Sequence, residues 1–168
     1  MCRPLLLIDI DGVISLFGFD PLRPPAGRFV MVDGIAHLLS EAVAGRLREL
    51  AGIFELAWCS GWEEKADEYL PHALGLPDGL PHLVFDPARL GPARLEVRRH
   101  WKLEAIEAFA GRERALAWID DAHDDSCHEW AATRTAPTLL IPTEPSVGLT
   151  EDQAVTLREW ALRVTGRG

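Results

Sequence analysis

Apolar residues occur along this chain in short runs, and these alternate with longer stretches in which they recur every three or four residues. Short apolar runs are typical of strands buried in a parallel sheet, and the three- to four-residue spacing is typical of amphipathic helices. The pattern predicts strands at residues 5–8, 53–59, 82–85, 115–119 and 138–141. It predicts helices at residues 34–51, 62–74, 101–110, 123–133 and from Thr150 to about 164. This alternation predicts an α/β domain with a mostly parallel sheet.

Two stretches fit neither pattern. Residues 15–32 contain glycines and prolines between aromatic and aliphatic residues, which predicts a loop with a short hairpin or flap. A flap directly after the first strand would suit a substrate site there, and a plain surface loop fits the pattern equally well. Residues 87–99 are rich in proline, glycine and arginine, which predicts an exposed connection or, less simply, a basic patch that faces phosphate.

The length of 168 residues predicts a single domain spanning 1–168, with the flap at 15–32 as its one elaboration. No stretch approaches the roughly 20 apolar residues of a membrane helix, and the start is too short for a signal-peptide core, so we expect a cytoplasmic location. Three cysteines far apart do not suggest a disulfide framework. The formal charge of −9 argues against broad non-specific binding of nucleic acid.

Polar residues follow three of the predicted strands directly. Asp9 and Asp11 end the first strand, Ser60 ends the second, and the pair Asp120–Asp121 ends the fourth. Ligands of open α/β sheets bind beyond the carboxyl ends of the strands, so these side chains are expected at one edge. An Asp-x-Asp alone could also be a strand-ending turn, and it is the combination that favours a catalytic site.

A carboxylate can attack phosphorus to form an aspartyl-phosphate, and a second carboxylate can protonate the leaving oxygen and later deprotonate water. Four clustered aspartates repel one another unless a cation lies among them, and oxygen ligands suit Mg²⁺. The hydroxyl of Ser60, the backbone N–H groups that follow it at Gly61, and the ammonium of Lys102 would bind phosphoryl oxygens.

These motifs resemble those of the haloacid dehalogenase-like (HAD) superfamily over residues 5 to about 125. Motif one is similar to residues 7–13, motif two to residues 56–61, motif three to Lys102, and motif four to residues 116–121. The resemblance implies a Rossmann-like three-layer α/β/α sandwich. It implies that Asp9 is the nucleophile and Asp11 the acid/base. Since neither gap between the motifs has room for a separate cap domain, a capless or minimally capped member is expected.

The resemblance implies Mg²⁺ as the cofactor, with Asp9, Asp11, Asp120 and Asp121 as the metal-binding residues. We favour Asp120 as the direct ligand and Asp121 as a water-mediated one, and the nearby Asp124 and Asp125 leave this choice open. A zinc site at His123, Cys127 and His128 is disfavoured because the spacing lacks a second ligand pair. Trp62, next to the phosphate motif, either packs in the core or lines the substrate site.

The sequence therefore predicts a Mg²⁺-dependent phosphatase that cleaves a phosphomonoester. The expected partner is a phosphorylated small molecule or a phosphorylated nucleic-acid end, with no membrane and no obligate protein partner. Two alternatives stay open: a catalytically silent HAD-fold binding module, and a HAD hydrolase acting on another type of bond. A dehalogenase is disfavoured because C–halogen displacement does not need the acid/base that Asp11 supplies.

Overall fold

The computed structural model describes residues 3–85 and 99–166, which contain both strands and helices. In chain order the elements are β1 (Leu5–Ile8), β2 (Ser15–Leu16), β3 (Arg28–Val32), β4 (Ile35–Leu39), α1 (Glu41–Leu50), β5 (Glu55–Trp58), α2 (Lys65–Leu74), α3 (Leu103–Ala110), β6 (Leu116–Asp120), α4 (Asp125–Thr133), β7 (Thr138–Pro142) and α5 (Glu151–Val164). The connection predicted at residues 87–99 lies, apart from residue 99, outside the described residues.

A four-stranded parallel sheet forms the centre of the fold, in the order β5-β1-β6-β7. The first strand lies in the middle, so that Leu5 is opposite Glu55 on one side and Leu116 on the other. All strands of this sheet point the same way, and the carboxyl ends of β5, β1 and β6 therefore meet at one edge. The predicted parallel α/β sheet is confirmed.

The two faces of β1 are buried against different helices. Leu6 and Ile8 belong to a core that includes residues of α1, α2 and α5, while Leu5 and Leu7 pack with residues of α3 and α4. All four are fully buried, and each such side chain contributes about 1.5–3 kcal/mol of transfer free energy. The predicted three-layer α/β/α sandwich is confirmed. In the two described ranges no helix combines the length and the apolar character that a bilayer crossing requires.

The helix predicted over residues 34–51 is wrong in its first part, because residues 35–39 form strand β4. This strand pairs antiparallel with β2 and β3 in a second, three-stranded sheet of order β2-β4-β3. Asp33 and Gly34 form the tight turn between β3 and β4 with φ values of 49° and 81°. An Asp-Gly pair between apolar runs favours such a hairpin. The helix begins only at Glu41, after Ser40 Oγ accepts a hydrogen bond from the Val43 N–H at 3.3 Å.

The chain between β1 and β5 thus forms this small sheet and α1. Strands β2 and β3 of the small sheet make up most of the regular structure of residues 15–32. Closure of this segment over a substrate stays a prediction. The strand predicted at residues 82–85 is reduced to a single bridge between His82 and Trp58. Hydrogen bonds from Trp58 N to Pro81 O and from Leu83 N to Trp58 O hold this segment beside β5.

Candidate active site

Asp9 is held at the centre of the carboxyl edge of the parallel sheet. Its N–H donates to Ile119 O at 3.0 Å, which continues the pairing of β1 with β6. Its own Oδ1 accepts a hydrogen bond from Ile10 N at 2.8 Å, and the residue is 7% exposed. Two dihedral angles separate this carboxylate from a backbone fixed on both sides, so its position follows directly from the sheet.

Lys102 lies directly before α3 and reaches into the same edge. Its ammonium donates to Asp9 Oδ2 at 2.9 Å and to Asp120 Oδ2 at 2.6 Å. Burial acts to lower the pKa of Lys102, but the charges of Asp9 and Asp120 outweigh it, and the pKa is raised above its ordinary value. The side chain is therefore a permanent cation between two carboxylates, in a region that excludes most water.

Burial also raises the pKa of Asp9 to about 6, with the nearby charge of Asp120 acting in the same direction and that of Lys102 opposing it. The carboxyl group is still mostly ionised at neutral pH. It is only weakly solvated, which suits a carboxylate that must attack another atom.

Asp120 is fully buried, and its carboxylate accepts hydrogen bonds from three donors. Besides Lys102, its Oδ2 accepts from Trp118 Nε1 at 3.1 Å, and its Oδ1 accepts from Ala122 N at 3.0 Å. The apolar pattern of the strand predicts core or strand-end packing for the indole of Trp118, and it does not predict this hydrogen bond. Its period-two position on β6, two residues before Asp120, puts both side chains on the same face of the strand, and this was the signal available in the sequence.

Asp9, Asp120 and Asp121 form an acidic cluster in which one oxygen of each residue lies within 4.8 Å of the others. Burial, followed by the charge of Asp120, raises the pKa of Asp121. One ammonium does not balance three carboxylates, and hard oxygen donors at this separation fit a hard divalent cation. In the part of the chain that the structure describes, neither Asp124 nor Asp125 belongs to this acidic cluster. Asp124 instead N-caps α4 by accepting a hydrogen bond from Cys127 N at 3.2 Å.

Gly12 provides the space that Asp121 occupies. A Cβ atom at residue 12 would lie 2.4 Å from Asp121 Oδ2 and 2.7 Å from its Cβ, and Gly12 has a φ of +74°. Residue 12 must therefore be glycine for two reasons. The backbone conformation disfavours a side chain, and Asp121, the second acid of motif four, fills the space that a side chain would need.

Gly12→Ala should therefore destabilise the protein more than Gly18→Ala does. Gly18 has the same φ of +74° with no atom within 4 Å of its Cβ position, so its replacement adds only backbone strain, about 1–2 kcal/mol. The contact with Asp121 should add about 1–3 kcal/mol more at Gly12, as overpacking typically does. Urea unfolding of both variants measures the difference. Equal losses in the two variants would show that Asp121 moves aside freely.

Asp11, the fourth acid of the sequence prediction, lies apart from the acidic cluster. Its side chain is half exposed, its Oδ2 accepts a hydrogen bond from Trp62 Nε1 at 3.0 Å, and its Oδ1 is 3.6 Å from His37 Nδ1. The geometry thus separates the two acids of motif one, with Asp9 beside Lys102 and Asp11 toward the small sheet. A metal role for Asp11, which the sequence analysis included, stays a prediction.

Ser60 and Gly61 follow β5 at the same edge, since Cys59 N donates to Ile8 O at 2.8 Å and keeps β5 beside β1. Ser60 is 2% exposed, and its Oγ lies 3.5 Å from Trp62 N. Helix α2 begins only at Lys65, with Glu64 as its N-cap, so Ser60 is not the capping residue of that helix. Their contact with phosphate, like that of Lys102, stays a prediction.

His37 is the site residue that the sequence analysis missed. It lies on β4, where the apolar spacing predicts the start of a helix and the Asp33–Gly34 turn is the sequence signal that indicates a strand. In the structure its Nδ1 is 2.9 Å from Ser15 Oγ, and its ring packs edge-on against Trp62 at 4.7 Å between centroids.

Comparisons with known proteins add no argument for the fold or the function beyond the geometry described above. No protein family profile matches the chain, and no curated protein is significantly similar to it. Among solved structures, the fold is similar to a hypothetical protein from Xanthomonas campestris, with 16% identity, 98% of this chain and 84% of that chain covered, and a TM-score of 0.46.

Two further similar structures are provisionally described as phosphatases. One, of the YrbI family from Pseudomonas syringae, has 15% identity and a TM-score of 0.42 over 98% of this chain and 88% of that one. The other, a 3-deoxy-D-manno-octulosonate 8-phosphate phosphatase from Vibrio cholerae, has 14% identity and a TM-score of 0.43 over 99% and 87%. The sheet order and the layers described above define the fold independently of these low-scoring similarities.

Proposed function

We propose that this protein is a Mg²⁺-dependent phosphohydrolase of the HAD type, which cleaves a phosphomonoester through an aspartyl-phosphate on Asp9. The observation that carries the proposal is the placement of Asp9. It is a buried carboxylate at the end of the central strand, paired with the ammonium of Lys102 and grouped with Asp120 and Asp121. Such a group is costly to bury, and a scaffold would have no use for it.

In the proposed reaction a carboxylate oxygen of Asp9 attacks phosphorus. The bond from this oxygen to phosphorus forms, the bond from phosphorus to the leaving oxygen breaks, and Asp11 gives its proton to the leaving oxygen. Water then attacks the phosphorus and loses a proton to Asp11, the bond to Asp9 breaks, and inorganic phosphate is released. The enzyme ends in the state in which it began.

The ammonium of Lys102, the hydroxyl of Ser60 and the N–H of Gly61 are proposed to bind the phosphoryl oxygens. Lys102 has a second effect, because its charge keeps Asp9 ionised in a buried position. These donors are fixed by β5 and by the start of α3 before substrate arrives, so little reorganisation accompanies the reaction.

The acidic cluster of Asp9, Asp120 and Asp121, with the backbone carbonyl of Asp11, is proposed to hold Mg²⁺. When bound, the ion would neutralise the carboxylates and the charge on the phosphoryl group. Direct coordination by Asp120 and water-mediated contact by Asp121 remain our preferred arrangement. Asp120 already accepts three hydrogen bonds, which fixes its orientation before a metal arrives.

The chain is proposed to be one domain with the 15–32 segment as a flap. The substrate is proposed to be a phosphorylated small molecule or a phosphorylated nucleic-acid end. Hydrolysis of p-nitrophenyl phosphate, measured with Mg²⁺ and with EDTA, tests the proposed reaction. A screen of phosphorylated metabolites and of 5′- and 3′-phosphorylated oligonucleotides then identifies the substrate class. If none of these phosphomonoesters is hydrolysed in the presence of Mg²⁺, Mn²⁺ or Co²⁺, the chain is not a phosphatase.

Mg²⁺ should raise the melting temperature, because it relieves the repulsion among the three carboxylates of the native state. At about 100 times its Kd a ligand adds roughly 2.7 kcal/mol to the free energy of unfolding. Asp121→Asn should lose most of this gain, and Asp125→Asn, an exposed acid in the first turn of α4, should keep it. Thermal unfolding with Mg²⁺ and with EDTA measures both. A melting temperature and an activity that EDTA leaves unchanged would rule out the metal.

A further inference from the structure

Both carboxylate oxygens of Asp11 face residues that the proposed reaction does not use. Trp62 Nε1 donates to Oδ2 at 3.0 Å, and His37 Nδ1 lies 3.6 Å from Oδ1. The side chain of Asp11 is otherwise half exposed, whereas that of His37 is 17% exposed and Trp62 as a whole is 9% exposed. A half-exposed acid is thus in contact with two residues that are themselves largely buried.

The two partners are fixed by different parts of the fold. Trp62 lies just before α2, and its ring belongs to the core between the parallel sheet and α1, α2 and α5. His37 lies on β4, where Ser15 Oγ on the adjacent strand β2 is 2.9 Å from its Nδ1. The imidazole packs edge-on against the indole, with 4.7 Å between centroids and 73° between planes. The small sheet therefore supports the indole that contacts Asp11.

A general acid is useful only when its proton-bearing oxygen lies within hydrogen-bond reach of the leaving group. Indole N–H is a donor and never an acceptor, so the oxygen it contacts is kept as an acceptor. This hydrogen bond thus sets the orientation of the carboxyl group, with Oδ2 toward the indole and Oδ1 toward His37.

We propose that Trp62 and His37 are positioning residues for the acid/base Asp11, with Trp62 orienting the carboxyl group directly and His37 holding the indole in place. This inference rests on the proposed phosphatase function and adds two residues to it. It also gives the small antiparallel sheet a role in the chemistry, through β4, in addition to any role in covering the site.

A purely structural role for Trp62 predicts something different. Loss of core packing lowers stability, and any loss of activity is then the same for every substrate. Loss of an oriented proton donor affects a poor leaving group, which must be protonated as it departs, and largely spares a good one. The dependence of kcat/KM on the leaving group therefore separates the two roles, since kcat/KM reports the steps up to departure of the leaving group.

The test compares Trp62→Phe with Trp130→Phe. Both substitutions keep an aromatic ring and remove one indole-to-carboxylate hydrogen bond, since Trp130 Nε1 donates to Glu107 Oε1 at 3.1 Å on the opposite helical layer. We expect Trp62→Phe to lower kcat/KM for phenyl phosphate roughly 10-fold, the scale of one hydrogen bond to a charged group, and to change the value for p-nitrophenyl phosphate less than about 2-fold. Trp130→Phe should change neither.

Three further measurements test the inference, and the first two do so even if Trp62→Phe folds poorly. His37→Leu should show the same selective loss, since it removes the support of the indole and keeps an apolar residue on β4. The chemical shift of the Trp62 indole N–H should differ between the NMR spectra of the wild-type chain and of the Asp11→Asn variant. In an Asp11→Asn background, Trp62→Phe should add no further loss, because its effect passes through Asp11.

The outcomes separate the inference from the function on which it rests. An active wild-type enzyme in which Trp62→Phe and His37→Leu lower kcat/KM equally for both esters, or not at all, overturns the positioning role alone. Additive losses with Asp11→Asn overturn it as well. A wild-type protein that hydrolyses no phosphomonoester overturns both the inference and the proposed function.

Discussion

Asp9→Asn is expected to reduce the turnover of any phosphomonoester by about 10⁴-fold or more, the scale of loss when a nucleophile is removed. The amide has the shape of the carboxylate and its oxygen can still accept the hydrogen bond from Ile10 N, but it cannot form the acyl-phosphate. Steady-state kinetics with the true substrate or an aryl phosphate measures the loss.

The fold of this variant should persist. Removing the Asp9 charge breaks an ion pair with Lys102, yet it also removes one of three mutually repelling carboxylates, and Lys102 keeps its contact with Asp120 at 2.6 Å. Circular dichroism and thermal unfolding check this, with Asp125→Asn as a control that should keep full activity. If Asp9→Asn retains substantial turnover, then Asp9 is not the nucleophile.

Asp11→Asn should separate the two halves of the reaction. General acid–base help is typically worth about 10²–10⁴-fold, and the loss should reach that range for an alkyl phosphate, whose leaving oxygen needs a proton. The phosphorylation step with p-nitrophenyl phosphate should be slowed much less. Because water then lacks its base, phospho-enzyme should accumulate on Asp9 and be trapped by acid quench.

The substitution suits the site, because an asparagine oxygen can accept the same hydrogen bond from Trp62 Nε1 and keep the side chain in place. A change in rate then reflects proton transfer and not misplacement. Equal losses of the phosphorylation rate for both leaving groups, with no trapped intermediate, would make Asp11 a structural residue.

Much of this arrangement could be predicted from the order of apolar and polar residues. Strand β1 is apolar at every position and is followed at once by Asp9, and β6 likewise runs directly into Asp120. Parallel strands end at one edge, so acids that follow different strands must meet there. The grouping of Asp9, Asp120 and Asp121 follows from that rule, although their binding of Mg²⁺ stays a prediction.

Strand β4 shows where the pattern fails. Ile35, Leu38 and Leu39 are spaced like the apolar face of a helix and run directly into α1, so periodicity alone merges the two elements. The two-residue turn at Asp33 and Gly34 makes residues 35–39 a strand and not a helix, because positive φ at both residues matches the twist of a hairpin. Because the pattern does not predict β4, it does not predict His37 as a site residue either.

Contacts between side chains that are far apart in the sequence could not be predicted from it. The hydrogen bond from Trp62 to Asp11 depends on the path of residues 59–64 after β5 and on the turn after Asp9, and neither path is set by local residue preference. The same holds for Lys102, whose ammonium reaches both Asp9 and Asp120 only because α3 packs on that face of the sheet. A motif can name such residues without giving their partners.

The central place of β1 also has a consequence for synthesis on the ribosome. Its partner β6 ends at Asp120, so Asp9 is synthesised long before Asp120 and Asp121, the acids with which it forms the cluster. Repulsion within the acidic cluster arises only after most of the polypeptide has emerged, when the core that opposes it can also form. A translation product that stops before Leu116 would contain Asp9 and Asp11, the proposed nucleophile and acid/base, but it would have no completed parallel sheet.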